Sequence, residues 1–143
     1  MLDALTRDFD ARHRSPDPVE VVHEYASAAD REVAALFASA LAYGNVRQIV
    51  ASVRRALALL GPSPAQAVAD LSEREALRRF AGFRHRFNSD VDVARLACMA
   101  GAALRGWGAL GALFMQGYDA AQRDIGPALE RWASALLAAE LPV

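Results

Sequence analysis

Residues 33–60 read VAALFASALAYGNVRQIVASVRRALALL, and the parsing of this stretch decides the fold. In its first half Val33, Leu36, Phe37, Ala40 and Leu41 recur at the three- and four-residue spacing of one helix face. In its second half Val46, Ile49, Val50, Val53, Leu57 and Leu60 do the same, with Arg47, Arg54 and Arg55 on the other face. Between the two stands Tyr43-Gly44-Asn45. Glycine suits the left-handed backbone that closes a helix, and asparagine is a good N-cap. The spacing predicts two helices meeting at a corner, the first stopping at Gly44 and the second capped by Asn45.

Punctuation outside this hairpin predicts more helices. A first one covers about residues 2–13 and ends before Ser15-Pro16-Asp17-Pro18, whose prolines forbid continuous helix. Asp17 and Pro18 suit the start of a short helix to about Ala26, and Asp30 is the candidate cap of the helix that runs to Gly44. Beyond Gly61-Pro62, Ser63-Pro64 opens a short helix to about Leu71, and Ser72 with Glu75 makes a capping-box pattern for another to about Ala81. Residues 82–90, GFRHRFNSD, read as an irregular link. Ser89 or Asp90 then caps a helix whose Val93, Leu96, Ala97, Ala100 and Leu104 face inward, broken at Gly106-Trp107-Gly108. A short helix at about 108–116 and a last one at about 127–140 complete the chain, the latter with Leu129, Trp132, Ala133, Leu136 and Leu137 on its inner face. No period-two run makes a convincing strand, and no repeat of fixed length is present. The fold class is all-α: one domain over 1–143, a globular array of about seven to eight short-to-medium helices.

Composition narrows the function classes. The 143 residues suffice for one hydrophobic core, and the apolar fraction of 54% is rich in helix-favouring alanine. No run approaches the roughly 18 apolar residues of a membrane span, and MLDALTRDFDARHR is too polar for a signal peptide, so a cytoplasmic protein is the default. Cys98 is the single cysteine, which excludes an intrachain disulfide and a thiolate metal cage. The net charge of −1 hides an asymmetry. Residues 1–44 carry four arginines against eight acids, residues 45–86 eight against three, and residues 87–143 four against six. Every basic side chain is arginine, so no lysine amine can serve as a Schiff-base nucleophile.

Few motifs survive inspection. Gly106-Trp107-Gly108-Ala109-Leu110-Gly111 matches G-x-G-x-x-G, but it follows a helix and lacks the flanking strand that a dinucleotide site needs. It is a helix–helix turn. His13, His23 and His85 share no metal-ligand spacing, and His23 reads as a half-buried helix residue. Cys98, in an apolar helix without a neighbouring arginine, reads as a small buried hydrophobe. Asp90 and Asp92 stand two apart and do not share a helix face, so one caps and the other faces solvent. The strongest constellation is Arg74, Arg78, Arg79, Arg84 and Arg86 interleaved with Phe80, Phe83, His85 and Phe87. Guanidinium forks suit phosphate and aromatic rings can stack on bases. Equally, the rings can be core and the arginines a solvated face or partners of the acidic N-terminal third.

The segment DPVEVVHEYASAADREVAALFASALAYGNVRQIVASVRRALALLGPSP, then GFRHRFNSDVDVARL and GALGALF, resembles the bacterial family named domain of unknown function 2400. The likeness runs from about Asp17 to Tyr118 through an acid-Pro-Val opening, D-R-E-V, L-A-Y-G-N, F-x-H-R-F and G-x-L-x-x-L-F. At a second level, residues 32–61 are similar to the opening helix pair of the helix-hairpin-helix DNA glycosylases. That resemblance implies that Tyr43, Gly44, Asn45 and Arg47 edge a DNA cleft, in enzymes that flip a base out and hydrolyse its glycosidic bond. The glycosylase hairpin L-P-G-x-G has no match, since IGPALERW (125–132) carries one glycine, and the catalytic aspartate in its D-T-H-like context has no counterpart. The chain therefore looks like the N-terminal part of a longer family member, and catalysis is not expected of it.

Two hypotheses follow. One is a nucleic-acid-binding, glycosylase-like helical protein, with duplex DNA as partner and Tyr43, Asn45, Arg47, Arg79, Arg84 and Arg86 as contact residues; no cofactor, metal or membrane partner is expected. The other is a non-catalytic helical interaction or structural module, its arginines held in internal ion pairs. A small-molecule enzyme has no supporting motif.

Overall fold

The structure is a computed structural model, and it describes residues 15–138. The expected helix over 2–13, His13 and the stretch beyond Ala138 lie outside the described residues. Within them the chain forms eight helices: α1 (Val19–Val22), α2 (Ala28–Ala40), α3 (Val46–Leu60), α4 (Pro64–Asp70), α5 (Glu73–Arg79), α6 (Asp90–Trp107), α7 (Leu110–Met115) and α8 (Gly126–Ala138). No strand occurs among the described residues; an isolated bridge pairs His85 with Asn88. The all-α array read from the sequence is what the chain forms.

Two helices organise the rest. α2 packs against α1, α3, α4 and α7, while α6 packs against α4, α5, α7 and α8. The apolar stripe of α2 supplies Val33, Ala34 and Phe37, all without solvent exposure, and Phe37 stacks on Phe80 with ring centroids 6.3 Å apart. The second stripe of the corner buries Ile49, Val50, Val53, Ala56, Leu57 and Leu60. Where α4 meets α6, Gly101 is the closest approach: a Cβ there would stand 2.0 Å from the Val68 carbonyl oxygen. Any side chain larger than hydrogen would drive these two helices apart.

Several local expectations change. Asp30 does not cap its own helix; Ser27 does, its hydroxyl accepting from the Asp30 amide at 3.0 Å. The Asp30 carboxylate instead accepts from the Ala65 amide, 2.9 Å away, at the start of α4. Glu32, two residues along, takes the Leu110 and Gly111 amides that open α7, at 2.8 and 3.2 Å. Carboxylates on α2 thus serve the amide-rich ends of two distant helices, where the dipole favours negative charge. At Ser89 both halves of a capping box with Asp92 form, whereas Ser72 holds the Glu75 amide and Glu75 turns to Arg79. α1 stops at Val22 rather than near Ala26, and His23, expected half-buried, is exposed at its end. On α8 the buried side is Ala128 and Leu136 with Trp132 and Ala135 packed beside them, leaving Leu129, Ala133 and Leu137 exposed. A helix-period pattern locates an apolar stripe but not how much of it a neighbour covers.

A candidate nucleic-acid interface at the Tyr43–Asn45 corner

The corner is wider than a glycine-closed hairpin. α2 ends at Ala40, not at Gly44. At its end the Ser39 hydroxyl donates to the Leu36 carbonyl, and the Leu41 carbonyl accepts from Nε2 of His85 at 3.0 Å and from the Tyr43 amide at 2.8 Å. Gly44 does hold a left-handed backbone, φ +105°, but as the hinge of a connector rather than as a helix cap. Asn45 caps α3 as read, its side-chain oxygen accepting from the Arg47 and Gln48 amides at 3.1 and 3.4 Å.

The segment 82–90, read as an irregular link, is the second half of the site and is ordered by hydrogen bonds. His85 and Asn88 exchange backbone bonds at 3.1 and 2.9 Å, making a two-residue turn with Arg86 and Phe87 at its tip. Arg86 has φ +52°, the one non-glycine residue with positive φ among those described. Side chains alternate as in extended chain: Phe83 and His85 go into the core, Arg84 and Arg86 face water. Asp90 closes the far end by accepting from the Gly82 amide at 2.9 Å.

His85 bolts this turn to the corner. Its ring is 4% exposed, with Nδ1 2.9 Å from the Ser52 hydroxyl of α3 and Nε2 on the Leu41 carbonyl. A carbonyl only accepts, so Nε2 carries a hydrogen, and in the neutral ring the Ser52 hydroxyl donates to Nδ1. Tyr43 adds a second bolt: its hydroxyl, with a single hydrogen to give, lies against two acceptors, the His85 carbonyl at 3.2 Å and the Asn88 side-chain oxygen. The Tyr43 ring meets His85 edge-on at 5.1 Å and lies nearly parallel to Phe87 at 6.5 Å. Phe87 is nonetheless 88% exposed.

The structure sorts the predicted residues. Tyr43, Asn45 and Arg86 come together, with Arg86 packed on Gly44 and Arg47 in the first turn that Asn45 caps. Arg84 lies in the same turn segment with its side chain exposed and its carbonyl held by Arg55 at 2.7 Å, on the side away from the corner residues. Arg79 does not join: it bonds Glu75 at 2.6 Å within α5. Arg54, on the polar face of α3 with Arg47 and Arg55, is likewise engaged by Glu20 and Glu24 at 3.0 and 2.6 Å. The interleaved aromatics split, with Phe80, Phe83 and His85 in the core and Phe87 alone at the surface. Ser52 and Asn88 were not singled out as partners, because their roles depend on contacts 33 and 45 residues away. The one local signal was the alternation in Phe83-Arg84-His85-Arg86, which is that of extended chain.

Elsewhere an open apolar cleft of about 350 Å³ lies between α2, α7 and α8, lined by Ala35, Leu36, Leu110, Phe114, Leu129 and Trp132 among others. The Trp132 indole donates to the Leu110 carbonyl at 3.1 Å and so ties α8 to α7. Gly106 lies inside α6 and Gly108 is its left-handed cap, so the G-x-G-x-x-G match is a helix–helix turn. Cys98 is buried, and burial pushes its thiol pKa up. No group of three metal-ligating side chains occurs among the described residues, and no described helix is long and apolar enough to cross a membrane.

Fold and site together define an all-helical array carrying an arginine-bearing corner. The chain belongs to the family described as protein of unknown function (DUF2400), whose model matches residues 17–141. No curated protein and no solved structure matches it.

Proposed function

We propose that the chain binds nucleic acid, with duplex DNA as the partner, through the 43–47 corner and the 84–87 turn segment. The observation that carries this reading is the tip of the turn. A phenylalanine 88% exposed sits beside an arginine with left-handed backbone, both on a turn fastened by Tyr43 and His85. Stability alone favours neither feature, since the ring remains hydrated and a non-glycine residue at positive φ is strained by about 1 kcal/mol. Strain of this kind, held by a rigid frame, accompanies binding sites. Arg47, Arg84 and Arg86 would contact phosphates, Asn45 and Tyr43 would edge the contact, and Phe87 would stack on an unpaired or displaced base. The finer reading is a glycosylase-like architecture whose contribution in these residues is binding and not base removal.

The test is a salt titration of binding to duplexes that are intact, mismatched or abasic. Affinity should fall steeply with salt, and disrupted duplexes should bind more tightly than intact ones. Arg84→Ala plus Arg86→Ala should weaken binding and make the salt slope shallower by about two while leaving helical content intact. Absence of affinity at low salt sinks the proposal. The ion pairs of Arg54 with Glu20 and Glu24 favour a second reading, an interaction or structural module in which arginines serve the fold. Unfolding of the double variant would support it.

A further inference from the structure

We propose that the pocket between Arg55 and Arg84 is a phosphodiester subsite, the place where one backbone phosphate of a bound strand is held. It is a concavity of about 290 Å³ lined by Arg55, Leu59, Ala81, Gly82, Phe83 and Arg84. It lies at the other end of the turn segment from Phe87 and contains none of the corner residues.

Arg55 is already placed. One terminal nitrogen donates to the Arg84 carbonyl at 2.7 Å, and its guanidinium carbon sits 4.9 Å from the centroid of the buried Phe83 ring. A guanidinium has five N–H donors, and the remaining ones on Arg55 have no partner among the described residues. The Arg84 side chain has no hydrogen-bond partner there either. Two forks at one concavity suit the oxygens of a phosphate, while Leu59 and Phe83 offer apolar wall to the attached sugar carbons. Holding Arg55 on ring and carbonyl before binding lowers the entropy lost on contact.

Charge selects the class of ester. Asp90 stands beside this pocket; the amides of Gly82 and Val91, with Arg84 adding to them, hold its carboxyl below the usual range, so it is ionised at neutral pH. Two guanidiniums and one carboxylate leave a single positive charge. That balances a phosphodiester, which carries one negative charge, and not a phosphomonoester, which carries nearly two.

The assignment rests on the nucleic-acid reading, and the test separates the two. Duplex binding is measured for the wild-type chain and for Arg55→Gln, Arg84→Gln, Phe87→Ala and Arg54→Gln. Dimethyl phosphate and methyl phosphate are titrated separately while the arginine Nε–H resonances are followed. Arg55→Gln and Arg84→Gln should each lower duplex affinity about 10-fold and make the salt slope shallower by about one, with Arg54→Gln unchanged. Dimethyl phosphate should move the Arg55 and Arg84 resonances. Arg84→Gln keeps the carbonyl that holds Arg55, so the test stands even if Arg55→Gln unfolds. Wild-type duplex affinity in both pocket variants, with Phe87→Ala weakened, overturns the subsite and removes Arg84 from the contacts, while nucleic-acid binding through the corner, Arg86 and Phe87 stands. Dimethyl phosphate binding without duplex binding overturns the strand as ligand and, with it, that reading. Tighter binding of methyl phosphate than of dimethyl phosphate overturns the diester assignment.

Discussion

The side chain of Arg86 lies on the backbone of Gly44: a Cβ built on that glycine would stand 2.8 Å from Nη1 and 2.9 Å from Cδ. Both residues have positive φ, +105° and +52°. The corner that joins the central helix pair and the turn that presents Phe87 are therefore held in contact by two left-handed residues from different parts of the chain, of which Arg86 alone carries a backbone penalty. Relieving the strain at Arg86 should separate stability from binding. Arg86→Gly removes the left-handed penalty and should leave the fold as stable as before or up to about 1 kcal/mol more stable. Urea unfolding reads the first effect. Duplex affinity should fall in the same variant, and a variant that binds as well as wild type would remove Arg86 from the interface.

Gly44→Ala should act in the opposite direction on stability. The alanine must adopt φ near +105°, which costs about 1–2 kcal/mol, while the Arg86 tip can swing away at little further cost. Removing the arginine as well should therefore restore little: the urea midpoint of Gly44→Ala plus Arg86→Ala should stay near that of Gly44→Ala. Substantial recovery would locate the strain in the side-chain contact instead of the backbone.

Much of this fold was legible because helix signals are local. Stripes at three- and four-residue spacing and the caps at Asn45, Ser72 and Ser89 located the elements well. Distant partners were not legible. Asp30 looked like a cap for its own helix and caps α4, and Glu32 caps α7, because a carboxylate binds whichever free amides the packing brings to it. The site shows the same division. Tyr43, Asn45 and Arg86 were named from the sequence, but that residues 82–90 fold back on the corner depends on His85 reaching Leu41 across 44 positions. Arg79 looked like part of the cluster because it is close in sequence, yet Glu75, one turn back on the same helix, holds it.

Glu32 gives a test of that long-range capping. Its carboxylate holds two amides of α7 and stands at the edge of the apolar cleft. Glu32→Ala should destabilise the chain by about 1–2 kcal/mol, the cost of losing a cap. Glu130→Ala, on the exposed side of α8, should change stability by less than about 0.5 kcal/mol. Thermal or urea unfolding of both variants checks the contrast, and equal effects would mean that the Glu32 bonds contribute nothing.

The loop that carries Arg84 and Phe87 is anchored by acids, so its stability should depend on pH. Asp92 is held below the usual carboxylate range by hydrogen bonds from the Ser89 amide and hydroxyl, and Asp90 by those of Gly82 and Val91. A lowered folded pKa means that the stabilisation is complete above the unfolded value, about 4, and is lost as pH falls through the folded one. The wild-type chain should therefore lose more of its urea midpoint on acidification than Asp92→Asn, which cannot titrate at that position. Parallel decline in both would show that the capping box does not contribute.

Cys98 provides the alkaline counterpart. Burial raises its thiol pKa, the nearby Glu73 raises it further, and Arg105 acts against both. Here the folded pKa lies above the unfolded one, so the linked stability is fully present below the unfolded value, about 8.5, and declines as pH rises through the folded value. Because the thiolate is the reactive form and the sulfur lies in the core beside α6's partners, a thiol reagent should react slowly with the native chain. The rate should rise with urea in step with unfolding, and Cys98→Ala should show a flatter stability profile at alkaline pH. Rapid labelling of the native chain near neutral pH would contradict a buried, protonated thiol and would place the inner face of α6 within reach of solvent.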